Sequence, residues 1–97
     1  MIYSVKQIRD ITAPIAAAHG LRTLHLFGSY ARGEATEESD IDLRIDTSAV
    51  LSLFEIGDLY ADLEEGLKKK LDLVTTRGSE DEFLDRIRED EVLLYEA

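Results

Sequence analysis

The sequence predicts an α/β (α+β) domain: a small mixed sheet of at least three strands, with helices packed on one face. Three observations predict it. Apolar residues recur at helical spacing behind capping residues, then give way to short apolar runs of strand length, and one stretch alternates strictly between apolar and charged residues. At 97 residues the chain has the size of one domain, residues 1–97, and with 44% hydrophobic residues it can build a core.

The elements follow in order. Ser4 and Gln7 form a capping box, and Val5, Ile8, Ile11 and Ile15 mark the inner face of a helix ending near His19, where Gly20 suits a left-handed cap. Pro14 is expected to kink it. Leu24 to Phe27 reads as a buried strand, and Gly28 to Ser39 as a polar loop with room for one helical turn. From Ile41 the chain alternates, with Ile41, Leu43 and Ile45 on one face and Asp40, Asp42, Arg44 and Asp46 on the other. Ile56, Leu59, Tyr60, Leu63 and Leu67 return to helical spacing, with Glu64 to Lys68 and Glu65 to Lys69 as favourable pairs, so a second helix should run to about Lys70. Leu71 to Thr75 gives a third strand, with Asp72 and Val74 opposite its leucines. Ser79 and Glu82 form another capping box, opening a helix with Phe83 and Ile87 inward, and Val92 to Tyr95 is an apolar tail expected to dock on the core. Helices on one sheet face leave the other open for chemistry.

Composition narrows the chemistry. With no cysteine and two histidines, disulfides, thiolate nucleophiles and cysteine zinc sites are excluded, and a metal would be held by oxygen. Eleven basic against 21 acidic residues give a net charge of −10, which repels nucleic acid and argues against binding it directly. No leader pattern or membrane-length apolar run is present, so a cytoplasmic protein without membrane partners is expected.

Asp40 and Asp42, two apart on a strand, send their carboxylates to one face with Cα atoms about 6 to 7 Å apart. Two such charges at ~6 Å repel by roughly 3 kcal/mol at an effective dielectric of 20. A divalent cation reverses that penalty, and carboxylate ligation suits Mg²⁺ or Mn²⁺ that keeps waters and takes phosphate oxygens. Asp72 joins them if the third strand pairs beside the second with its leucines inward. Gly28-Ser29 follows a strand directly, where glycine permits close backbone approach and a hydroxyl with adjacent amides can hold phosphate. Arg32 in the same loop can neutralise phosphate or pair with Glu34 or Glu37. His25 reads as a packed or hydrogen-bonded histidine, Lys68 to Lys70 as cations closing a helix, Tyr60 as core, and Glu80 to Glu91 as a solvated acidic face.

Taken together, Gly28-Ser29-Tyr30-Ala31-Arg32-Gly33, Glu34 to Glu38 and Ser39-Asp40-Ile41-Asp42-Leu43 resemble the signature of the minimal nucleotidyltransferases of the DNA polymerase β superfamily. The likeness extends through Leu71-Asp72-Leu73-Val74 to the Val92-Leu93-Leu94-Tyr95-Glu96 ending, about three-quarters of the chain. It implies the nucleotidyltransferase fold and nucleotidyl transfer from ATP with Mg²⁺, two ions being expected. Asp40, Asp42 and Asp72 would hold metal, Asp72 would help deprotonate the acceptor hydroxyl, and Gly28, Ser29, Arg32 and Ser39 would bind the nucleotide. Arg44 departs from the family pattern, where an apolar residue is more usual, and could either touch nucleotide or cancel a carboxylate. Stand-alone members of this family are typically antitoxins, so the resemblance implies as partner a HEPN-type ribonuclease toxin encoded next door, silenced by adding AMP to a tyrosine. Inhibition by occlusion alone, or transfer to an aminoglycoside-like small molecule, are the alternatives.

Overall fold

In the computed structural model of the chain, the described residues are 2–46, 52–75 and 89–97. Helix α1 spans Val5–Ala18, strand β1 Thr23–Phe27, the short helix α2 Gly28–Arg32, strand β2 Ile41–Asp46, helix α3 Leu53–Leu67, strand β3 Leu71–Thr75 and strand β4 Val92–Glu96. The capping box at Ser4 is formed in both directions: Gln7 N donates to Ser4 Oγ at 3.1 Å and Ser4 N to Gln7 Oε1 at 2.8 Å. The helix runs through Pro14, which lies on its exposed side, and ends at His19 with Gly20 left-handed at φ 69°. Its most buried line is Ile8, Thr12 and Ala16, with Val5, Ile11 and Ile15 flanking it. Thr12 escapes an apolar reading because it is polar, yet its hydroxyl is satisfied by Ile8 O at 2.8 Å.

The second long helix starts earlier and stops sooner than its apolar stripe suggests. Ser52 Oγ accepts from Glu55 N at 3.1 Å, an N-cap that sets the start at Leu53. The helix closes at Leu67 because Lys68 turns left-handed, φ 55°, with its N–H on Glu64 O at 2.8 Å. That turn frees the Lys70 carbonyl to accept from Ile41 N at 3.1 Å, which brings β3 alongside β2. Tyr3 and Tyr60 bind carbonyls near this junction, Tyr3 Oη donating to Leu67 O at 2.6 Å and Tyr60 Oη to Leu71 O at 3.2 Å.

Among the described residues the sheet has four strands in the order β3-β2-β1-β4. β1 is antiparallel to both β2 and β4, while β2 and β3 are parallel, so the sheet is mixed. The Val92 to Tyr95 segment therefore does more than dock: it is an edge strand paired to β1, with a register shift at Leu24/His25. That irregularity, and the lack of alternation in an all-apolar run, hide a strand from periodicity. One core joins the helices to one sheet face: Ile8 and Ala16, Leu59, Leu63 and Leu67, then Leu24, Leu26, Ile41, Leu43, Ile45, Leu71 and Leu94 from all four strands. The helix expected from Ser79, with Phe83 and Ile87, lies outside the described residues.

The opposite sheet face divides into two zones. At its centre Phe27 is buried and packs against Val74, and Arg44 is only 5% exposed. The expectation that this whole face stands open is thus corrected: it is accessible at the end where β2 and β3 begin, where Asp40 and Asp42 are half-buried and Asp72 is exposed.

Among the described residues no helix is long and apolar enough to cross a membrane.

Candidate active site

Topology assembles the candidate residues at one end of the sheet. β1 runs toward this end and delivers Gly28 and Ser29 as it passes into α2, whereas the parallel strands β2 and β3 both start here and deliver Asp40, Asp42 and Asp72. Asp42 stands opposite Phe27 on one side and Asp72 on the other. Directly paired residues project to the same face, so the two carboxylates share it. Asp40 lies just before β2, separated from Asp42 by the fully buried Ile41.

The electrostatics report this crowding. Burial pushes the Asp42 carboxyl up to about 6, helped by a side-chain hydrogen bond to Asp72 and by the charges of Asp72 and Asp40, while Arg32 pulls the other way. Gly28 shows how tightly the backbone is folded over Asp42. Its φ is 74°, and a Cβ built on it would overlap Asp42 Oδ2 and stand 3.0 Å from Cγ. Glycine is required there twice over, by the dihedral and by the carboxylate.

The remaining candidates are placed as follows. Ser29 sits in the first turn of α2, half-buried, and its carbonyl accepts from Glu34 N at 2.9 Å to close that turn. Arg32 is 41% exposed in its side chain and pairs with Glu34 Oε2 at 3.3 Å and with Asp90 Oδ2 at 3.7 Å. Ser39 lies directly before Asp40, its Oγ accepting from Thr36 N at 2.9 Å, which leaves its hydroxyl proton available to donate.

Arg44 pairs with a carboxylate, but with Glu91 and not with one of the three candidate aspartates. Its Nε donates to Glu91 Oε2 at 2.6 Å and its Nη2 to Glu91 Oε1 at 2.7 Å, a bidentate pair across the second zone of the sheet face. Nη2 also meets His25 Nδ1 at 3.1 Å. A guanidinium can only donate, so Nδ1 accepts and the imidazole proton belongs on Nε2, 3.6 Å from Glu91 Oε1. Burial, first of all, lowers the His25 pKa, consistent with this neutral tautomer. His25 is the hydrogen-bonded histidine the sequence suggests. Glu91 and Asp90 had no local signal, because their partners lie far away in the chain.

Residues 9–97 match the family described as Polymerase beta, Nucleotidyltransferase. MJ0435 of Methanocaldococcus jannaschii, a candidate protein adenylyltransferase by name, is 36% identical over 84 residues, 87% of this chain and 90% of that protein. The protein adenylyltransferase MntA of Thermococcus cleftensis is 44% identical over 55 residues, 57% of this chain and 56% of that protein. A solved structure described as a candidate minimal nucleotidyltransferase has a TM-score of 0.79 at 29% identity, covering 93% of this chain and 95% of that one. A chain from the complex of tri-AMPylated Shewanella oneidensis HEPN toxin with MNT antitoxin has the same fold, TM-score 0.75 at 19% identity, over 96% of this chain and 73% of that one.

Proposed function

The chain belongs to the polymerase β nucleotidyltransferase family, and from that premise we propose that it is an antitoxin that transfers AMP from ATP to a tyrosine of a HEPN-type ribonuclease toxin. One observation carries the reading. Asp42 and Asp72 are in register on adjacent parallel strands, and Asp42 lies directly against Gly28 at the entrance to α2. Clustered carboxylates beside a glycine-serine turn are costly to fold and useful for phosphoryl chemistry, whereas inhibition by mere occlusion requires neither. The names of MJ0435 and MntA support protein adenylylation, and the Shewanella complex supports a HEPN toxin as acceptor.

The donor set fits Mg²⁺ in a restricted sense. Among the described residues no group of three His, Cys, Asp or Glu side chains is arranged to hold a metal by itself. Mg²⁺, however, takes one or two carboxylates and fills its remaining positions with water and phosphate oxygens. Asp40 and Asp42, with Asp72 alongside, supply that hard oxygen set. When bound, the ion would neutralise the triphosphate and stabilise charge developing on the leaving oxygens.

The protein's own residues do the rest. Gly28 lets the backbone close over the carboxylates, and the Ser29 hydroxyl and the Arg32 guanidinium orient the phosphates, Arg32 exchanging Glu34 and Asp90 for them. The tyrosine oxygen attacks the α-phosphorus as its proton passes to the Asp72 carboxylate. The bond from that phosphorus to the α,β-bridging oxygen breaks, and pyrophosphate leaves with the electron pair. Asp72 is exposed and can return its proton to water.

The test incubates the protein with ATP, Mg²⁺ and a HEPN-type ribonuclease toxin, to be sought first in the neighbouring reading frame. Mass spectrometry should find AMP on a toxin tyrosine, with RNA cleavage lost. Asp72→Asn should bind the toxin and transfer little. Full neutralisation by this variant without any AMP added would hand the case to occlusion.

A further inference from the structure

Lys69 reads in the sequence as one of three cations closing a helix, but the structure puts it elsewhere. Because α3 stops at Leu67 and Lys68 turns left-handed, Lys69 lies in the crossing from α3 to β3. Its Nζ donates to Glu37 O at 2.9 Å and stands 5.8 Å from the centroid of the Tyr30 ring. These two contacts reach separate pieces of the candidate site. Tyr30 follows Ser29 directly and is 4% exposed, so its ring is a fixed part of α2. Glu37 lies three residues before Asp40, inside the turn closed by Ser39 N on Thr36 O at 3.1 Å. Lys69 itself precedes Lys70, whose carbonyl holds Ile41, and Asp72 follows two residues later.

One ammonium therefore ties together the three segments that supply the polar residues: α2 with Ser29, the loop leading into Asp40, and the start of β3 with Asp72. A carbonyl oxygen and an aromatic face both select a cation, and the aliphatic stem spans the gap between them. We propose that Lys69 is a positioning residue that holds the 34–39 loop and α2 against the start of β3, keeping Asp40 and Ser29 in place relative to Asp72. The inference rests on the transferase reading above for its kinetic arm only.

Freeing the loop shifts the carboxylates relative to one another more than it removes any nucleotide contact, so the loss should fall on kcat. Misplacement by about 1 Å can cost up to about a hundredfold. Lys69→Met keeps the stem and removes the charge, while Lys69→Arg keeps a cation able to donate to a carbonyl and lie over a ring. With ATP, Mg²⁺ and the HEPN toxin, Lys69→Met should lower kcat about tenfold or more, with KM for ATP within about threefold. Lys69→Arg should recover most of the rate, and melting temperatures should stay within about 2 °C. A second measurement needs no acceptor: amide hydrogen exchange at residues 36–39 should quicken at least about fivefold in Lys69→Met and return in Lys69→Arg. Unchanged exchange in Lys69→Met overturns the proposal, as does a rate loss that follows melting temperature and is not rescued by arginine. Wild-type protein that transfers nothing while its loop exchange responds as expected would refute the transferase reading and leave the tether standing.

Discussion

Asp42 is held in a position where ionisation is unfavourable. Burial and the neighbouring Asp72 and Asp40 raise its carboxyl from the usual range to about 6. A folded-state value above the unfolded one means that its contribution favours the fold at low pH and is lost as pH rises through the interval from about 4 to about 6. Replacing the charge with a neutral amide removes that loss. Asp42→Asn should thus raise apo stability at pH 7 by about 1 kcal/mol once solvent screening is allowed for, with the gain shrinking toward pH 4. Paired thermal melts at the two pH values read this directly, and a less stable Asn variant at pH 7 would identify the carboxylate as structural. The same substitution should abolish Mg²⁺-dependent ATP binding in calorimetry. Gly28→Ala makes the complementary test. Its φ of 74° strains any side chain and its Cβ would meet Asp42 Oδ2, so the expected outcome is a loss of roughly 1 kcal/mol from the backbone alone, together with weaker Mg²⁺-ATP binding. Binding unchanged in Gly28→Ala would mean that Asp42 can move without consequence.

At the scale of elements, β4 is secured by more than its pairing to β1. Glu91 immediately precedes it, and the bidentate bonds from Arg44 are made with both side chains at or below 10% exposure. Removing one partner takes the bidentate pair away from the other's buried charge, so Arg44→Met or Glu91→Gln should each cost about 3 kcal/mol in urea unfolding. The double variant Arg44→Met with Glu91→Leu should recover most of that, because a matched apolar pair has no charge to desolvate. Additive losses would show that the two side chains act independently. This pair also marks where the sequence ceases to be readable. Alternation in β2 exposes Asp42 and the Ile41, Leu43, Ile45 core face, because both depend on neighbours two residues away. The partner of Arg44 lies 47 residues on, and no local period encodes it. The same holds for β4, which is a strand through pairing with β1, and for Lys69, whose role appears only once Lys68 has ended α3 in the left-handed conformation. The carboxylate spacing, the glycine-serine turn and the caps of α1 were legible because their chemistry is carried by residue type and short spacing; the Ser52 and Lys68 ends of α3 were not. Tethers across the fold were not.

For the molecule as a whole, the net charge of −10 governs encounter more than catalysis. A partner that cleaves RNA must present positive charge to phosphates, and such a surface is drawn to this one over distances set by the Debye length, about 8 Å at physiological salt. In the proposed mechanism the chemical step depends on groups in close contact at the start of β2 and β3, such as the hydrogen-bonded Asp42 and Asp72, at separations shorter than the Debye length. Salt should therefore separate the two. Raising ionic strength from about 0.05 M to about 0.5 M should slow association with a HEPN-type toxin by about tenfold or more. The rate of AMP transfer at saturating toxin should change by less than about twofold, since that rate reports alignment and not capture. Stopped-flow association and single-turnover transfer, measured on the same preparations, give the two numbers. An association rate indifferent to salt would mean that the acidic surface plays no part in finding the partner, and that recognition rests on apolar contacts instead.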